Sequence, residues 1–223
     1  MKIQTSNLKI CGITRSEDLD VCCRLGVSYV GFNFFPGSKR HISVTAAAAM
    51  WRNRPVAAVR TKPCAVVVDI GMPGLTKLIS AFPELSVIQF HGREQLGDVE
   101  LAREQFRQCQ IWCALQISSA EDLAAAGRWT HVTDLILFDA KDPKSPGELG
   151  GTGTRFDWKL LDGYKSTKPY GVAGGVLAAD VKLLRERGVG LIDICSGVEV
   201  SPGVKDPALL EEVVTAWRGW SAS

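Results

Sequence analysis

The 223-residue sequence contains no CxxC pair, and none of its three histidines stands at zinc spacing from a cysteine, so a metal centre is not expected. No apolar run approaches the ~20 residues needed to cross a bilayer. The opening Met1 to Asn7 is polar and unlike a secretory signal, which argues against membrane insertion and export. The seven cysteines, an odd number without an export signal, then point to a reducing, cytoplasmic compartment in which most thiols are small core fillers. The formal charge of +2 is dispersed, and the densest basic stretch, Lys39, Arg40, Arg52, Arg54, Arg60 and Lys62, lacks the interleaved aromatics of a nucleic-acid platform. There is no Ser/Gly linker and no abrupt change of composition, so one domain over 1–223 is expected. The expected partner is a small-molecule substrate, with neither nucleic acid nor membrane, for a monomer or a homodimer.

What the sequence does contain is alternation. Apolar, β-branched runs at Leu8–Cys11, Tyr29–Phe34, Ala65–Asp69, Ser86–His91, Ile111–Ile117, Asp134–Asp139, Lys168–Ala173 and Gly190–Cys195 each precede a helical pattern. Helix ends are marked by a capping box over Thr14–Glu17 and by Gly26, Gly127 and Gly188 past the first, fifth and seventh helices. Eight such units predict an α/β fold, a single (β/α)8 TIM barrel of eight parallel strands. The rival doubly wound sheet would carry a glycine-rich nucleotide motif after an early strand, and none stands there. The long irregular stretch Lys141–Phe156, with Gly147, Gly150, Gly151 and Gly153, reads equally as a closing lid or as surface slack.

Active sites of such barrels lie at the carboxyl ends of the strands, here Cys11, Asn33, Asp69, His91, Gln116, Asp139, Gly174 and Ser196. Of these, Cys11 and Asp139 exchange protons best. Alternation puts Lys9 on the same face of its strand as Cys11, and Asp193 shares a face with Cys195, so a buried Lys9–Asp193 ion pair is expected to anchor the closure and bring positive charge near Cys11. A thiol titrating near ~8.5 needs such charge, or the amides of Gly12, Ile13 and Thr14, to act as a base. The alternative for Cys11 is inert packing. Asp139 ends an apolar strand, where desolvation suits a general acid; the alternative is a helix cap or an ion pair with Lys141. Gly174-Gly175 and Ser196-Gly197, after the last two strands, suit a phosphate or are simply tight turns. Arg40 is a candidate carboxylate clamp, and His91 either lines the pocket or is structural.

Lys9-Ile10-Cys11-Gly12-Ile13-Thr14, Gln89-Phe90-His91-Gly92, Gly150-Gly151-Thr152-Gly153 with Phe156-Asp157-Trp158, Gly174-Gly175, and Asp193 through Glu199 with Pro202-Gly203 together closely resemble the phosphoribosylanthranilate isomerase family, in order and spacing over nearly the whole chain. The resemblance implies an Amadori rearrangement in tryptophan biosynthesis, without cofactor or metal. It implies Cys11 as general base and Asp139 as general acid. Arg40, His91 and Asp193 would bind substrate, with Arg40 on the anthranilate carboxylate, and Gly174, Gly175, Ser196 and Gly197 would bind the phosphate. The chain departs from the usual pattern at Val66 to Ile70, at Cys195, at His41 and in a longer Lys141–Glu148 segment. Two other functions fit the same outline: a dual-substrate isomerase that also serves histidine biosynthesis, against which a cysteine at position 11 argues, and a silent phosphate-binding barrel, against which the Cys11 and Asp139 pair argues.

Overall fold

The computed structural model describes residues 6–55, 60–140 and 155–219. Eight parallel strands, β1 (Asn7–Cys11), β2 (Tyr29–Asn33), β3 (Lys62–Val67), β4 (Val87–Phe90), β5 (Gln110–Ile117), β6 (Leu135–Ala140), β7 (Tyr170–Val172) and β8 (Leu191–Ile194), follow one another round a closed barrel in which β8 pairs with β1. Around them run α1 (Ser16–Arg24), α2 (Val44–Arg52), α3 (Gly71–Ala81), α4 (Leu96–Gln105), α5 (Ala120–Ala126), α6 (Val181–Glu186) and α7 (Pro207–Arg218). Among the described residues no helix is long and apolar enough to cross a membrane.

The apolar runs of the sequence have a direct cause in this architecture: parallel strands are covered on both faces, by helices outside and by packed side chains inside. Alternation on β1 sends Leu8 and Ile10 outward into the layer beneath the helices, while Lys9 and Cys11 turn inward. The inner layer holds Tyr29, Val66, Val87, Trp112, Leu135, Leu137 and Leu191. Trp112, almost wholly buried, meets Tyr29 edge to face with ring centroids 4.8 Å apart.

One charged pair is set into this apolar interior. Lys9 and Asp193 are register partners across the β1/β8 seam, and Lys9 Nζ donates to Asp193 Oδ2 at 2.7 Å with the lysine fully buried. The ion pair expected from strand alternation is therefore present. Room for it comes from Gly31 on β2, where a Cβ would stand 2.9 Å from Cys11 Sγ and 3.2 Å from Lys9 Nζ.

The structure corrects several local expectations. The hydroxyl of Thr14 donates to Gly203 O at 2.5 Å, so Thr14 does not open a capping box; Arg15 precedes α1 and offers no side-chain cap. Gly127 directly follows α5 as expected, though with a right-handed backbone, φ −55°, that leads into a 3-10 turn over Gly127–His131; Gly26 and Gly188 take the left-handed stop. β3 begins and ends earlier than the run Ala65–Asp69, and Asp69 lies beyond it with φ +46°. Between β6 and β7 the described residues contain a 3-10 turn, Trp158–Leu161, and no α-helix. The 141–154 part of the expected lid lies outside the described residues.

A two-stranded hairpin, β9 (Glu199–Ser201) and β10 (Val204–Lys205), follows β8 and turns at Pro202-Gly203, with Gly203 at φ +83°. The Thr14 hydroxyl and a bond from Lys205 N to Asp18 Oδ2 at 3.1 Å tie it to the start of the chain. Behind it, Asp206 caps α7 by accepting from Ala208 N at 2.8 Å and Leu209 N at 3.3 Å.

Replacing Asp193 by Asn leaves the Lys9 ammonium buried against a neutral amide. The expected cost is about 3 kcal/mol, the order found when one partner of a buried pair is removed. Urea unfolding measures it, and an unchanged midpoint would mean that Lys9 does not depend on this carboxylate.

Candidate active site

At the carboxyl end of the barrel lies a cavity of about 620 Å³, open mouth included. Cys11, Arg40, His91, Asp139, Gly174, Gly175, Asp193 and Ser196 all line it, together with Asn33, Gln89 and Cys195. Gly197 stands behind the lining, where a Cβ would fall 2.1 Å from Val176 O, so its smallness lets the last two loops approach. Of the other strand-end candidates, Asp69 and Gln116 do not line the cavity. Asp69 instead accepts from Arg93 N at 2.7 Å in the loop after β4.

Cys11 is the last residue of β1, and the register Ile10↔Ile194 brings Cys195 beside it at the end of β8. A hydrogen bond from Cys195 holds the Cys11 thiol well below its ordinary range; burial opposes this, and the Lys9 and Lys205 cations reinforce it. The same contact, with burial, pushes the Cys195 thiol up; its Sγ also lies 3.9 Å from Glu199 Oε1.

Asp139, buried near the end of β6, accepts from its neighbour Ala140 N at 2.9 Å through Oδ1 and meets His91 Nε2 at 3.0 Å through Oδ2. Burial works against a charge on His91, but the hydrogen bond and charge of Asp139 outweigh it and raise the imidazole above its usual 6.5. The histidine is thus a partner of Asp139 as well as a wall of the cavity.

Arg40 reaches the cavity from the loop after β2. Its fork is engaged differently from the expected open clamp: Nε lies 3.0 and 3.1 Å from the two oxygens of Glu199, and Nη2 lies 2.7 Å from Oε2. Nη1 has no partner among the described residues. Burial opposes the charge on Glu199, and Arg40 and Lys205 overcome it, holding the carboxyl below its ordinary value. Gly12 makes this approach feasible: its φ is +75°, and a Cβ there would sit 2.6 Å from Arg40 Cδ.

Two small-residue turns follow β7 and β8. Gly174 and Gly175 have φ +83° and +60°, values that favour glycine. The N–H groups of Gly174, Gly175, Ser196 and Gly197 donate no hydrogen bond to any described residue. Clustered unpaired amides of this kind suit an anion.

A family model for N-(5'-phosphoribosyl)anthranilate (PRA) isomerase matches residues 8–216. The chain belongs to the PRA isomerase family. Among its relatives, an N-(5'-phosphoribosyl)anthranilate isomerase of Rhodopseudomonas palustris (strain TIE-1) is 36% identical over 95% of this chain and 97% of the relative. The phosphoribosyl anthranilate isomerase of Thermus thermophilus superposes with a TM-score of 0.80 at 25% identity, covering 96% of this chain and 98% of that one. A further PRA isomerase structure, in complex with reduced 1-(o-carboxyphenylamino)-1-deoxyribulose 5-phosphate, superposes with a TM-score of 0.78 at 26% identity over 96% of this chain and 100% of that one.

Reasoning from strand ends did not reach Glu199 and Lys205, which this PRA isomerase family member carries into the site on the β9–β10 hairpin. The signal was available: Val198 to Lys205 is a short run that alternates polarity around Pro202-Gly203, a turn pair.

The raised His91 value has a signed consequence. A folded-state pKa above the ordinary 6.5 makes the stabilisation by the His91–Asp139 contact complete below that value, and the stabilisation is lost as pH rises through the folded value. The difference in unfolding free energy between the unaltered chain and His91→Gln is therefore expected to shrink as pH rises. A difference that stays flat with pH would contradict the contact.

Proposed function

We propose that this chain converts N-(5'-phosphoribosyl)anthranilate into 1-(2-carboxyphenylamino)-1-deoxyribulose 5-phosphate, the Amadori step of tryptophan biosynthesis, with Cys11 as base and Asp139 as acid. The observation that carries the reading is the meeting of a thiolate-favouring cysteine and a histidine-paired carboxyl group in one cavity edged by anion-seeking amides, in a chain of this family.

The reaction begins when a proton from the His91–Asp139 pair passes through Asp139 to the ribose ring oxygen. The C1–oxygen bond breaks, the ring opens and the anilino nitrogen shares the positive charge as a Schiff base. That cation acidifies the C2 proton, which the Cys11 thiolate removes to give an enolamine. Return of a proton to C1 and loss of the C2 hydroxyl proton give the ketone. Atoms and electrons balance within the substrate, because C1 is reduced as C2 is oxidised. The Cys195 contact and the buried cations favour the thiolate, and the His91 imidazole, raised above its usual value by Asp139, keeps a proton within reach of that carboxylate.

The remaining contacts position the substrate. Arg40 turns Nη1 to the anthranilate carboxylate while Glu199 holds its other edge. The amides at Gly174, Gly175, Ser196 and Gly197 receive the phosphate. Asp193 has one carboxylate oxygen on Lys9 and leaves Oδ1 without a partner among the described residues, which suits a ribose hydroxyl. Seven free thiols support a reducing compartment, and we assign the chain to the cytoplasm.

Loss of substrate fluorescence with freshly prepared N-(5'-phosphoribosyl)anthranilate tests the assignment. Cys11→Ala and Asp139→Asn should each lower kcat by roughly 10² to 10⁴, the usual worth of a positioned acid or base. Near-normal turnover by either folded variant would remove that residue from its role.

A further inference from the structure

Among the described residues Lys205 is buried as completely as any charge: its side chain is 0% exposed. Its ammonium donates to Cys11 O at 2.5 Å, to Glu199 Oε1 at 2.8 Å and to Cys195 O at 3.2 Å, with Cys195 Sγ at 3.8 Å. Two of these acceptors are the main-chain carbonyls at the ends of β1 and β8, where the barrel closes. The third, Glu199, is the carboxylate that grips Arg40. One ammonium thus ties together the residue proposed as base, the thiol beside it and the anchor of the guanidinium.

The charges facing Cys11 give this arrangement its meaning. Lys9 lies on the same strand, Asp193 and Cys195 come from β8 and the residue after it, Arg40 from the loop after β2, and Glu199 and Lys205 from the hairpin. His91, the residue after β4, and Asp139 on β6 are paired with each other in the same cavity. Lys9 is matched by Asp193 and Arg40 by Glu199, which leaves Lys205 to share Glu199 with Arg40. Among the described residues at this seam, three buried cations share two ion-paired carboxylates, Asp193 and Glu199, while the third buried carboxylate, Asp18, accepts from the Lys205 main chain; a thiolate at Cys11 adds negative charge beside the cations.

We propose that Lys205 is a positioning residue for the base: it fixes the carbonyl ends of β1 and β8 and supplies the buried positive charge that the Cys11 thiolate balances. The inference rests on reading Cys11 as the base, but the thiol can be examined without substrate. The rate of Cys11 alkylation by iodoacetamide, followed by peptide-resolved mass spectrometry across pH, reports its ionisation directly.

Lys205→Met is expected to move the alkylation midpoint upward by about one pH unit or more, the usual effect of one nearby charge, whereas Lys205→Arg keeps it with the unaltered chain. The acidic limb of kcat/KM should move by the same amount. A folded Lys205→Met chain with lower thermal stability but an unmoved midpoint would overturn the proposal. If Lys205→Met does not fold, Glu199→Gln takes its place: it removes a carboxylate from the seam, so the midpoint should fall, and an unmoved or raised midpoint would overturn the proposal as well. A shifted midpoint in a chain that does not turn over the substrate would support the role of Lys205 while counting against the isomerase reading.

Discussion

The seam between the first and last strands depends on an ammonium and a carboxylate buried together. A lysine inside a barrel is costly unless it is paired, and the contact of Lys9 with Asp193 at 2.7 Å settles that cost at the point where the sheet closes on itself. The pairing has consequences one layer up. It requires Gly31 on the neighbouring strand, it sets the inward face of β1, and it leaves Cys11 at the rim above a fixed positive charge. The step that makes the closure possible is also the step that prepares the thiol.

The hairpin after β8 extends the same logic outward. Without Glu199 and Lys205, Arg40 would stand at the mouth as an unanchored cation and the ends of β1 and β8 would be held only by their ladders. With them, guanidinium, carboxylate, ammonium and strand-end carbonyl form one continuous set of hydrogen bonds. Asp139, paired with His91, lies against the Gly174 turn, and Lys9 and Cys11 act on the His91 imidazole from within the same cavity. An isomerisation that moves one proton on and another off needs two such groups within reach of one substrate.

Much of this could be read from the chain. Strand alternation puts Lys9 and Cys11 on one face, and a working Cys11 makes that face the inward one, which leaves Asp193 as the natural partner of the buried lysine. The strand ends brought Cys11, His91 and Asp139 to one rim for the same reason. What escaped depends on contacts distant in sequence. Thr14 has the look of a helix cap, but its hydroxyl is taken by a carbonyl 189 positions away. Lys205 meets Cys11 across 194 positions, which no local pattern announces. Arg40 reads as a free fork because Glu199 is invisible to it until the hairpin folds back. β3 starts ahead of its apolar run because it takes in Pro63, a residue with no N–H to give a ladder and so a poor sequence signal for a strand.

The central claim is that the Cys195 contact and the buried cations together hold the Cys11 thiol below its ordinary range. It is tested most directly by the ultraviolet absorbance of the thiolate, titrated in the unaltered chain and corrected by subtracting Cys11→Ala. The predicted midpoint lies below the ~8.5 of an ordinary thiol; a midpoint at or above that value would contradict the claim.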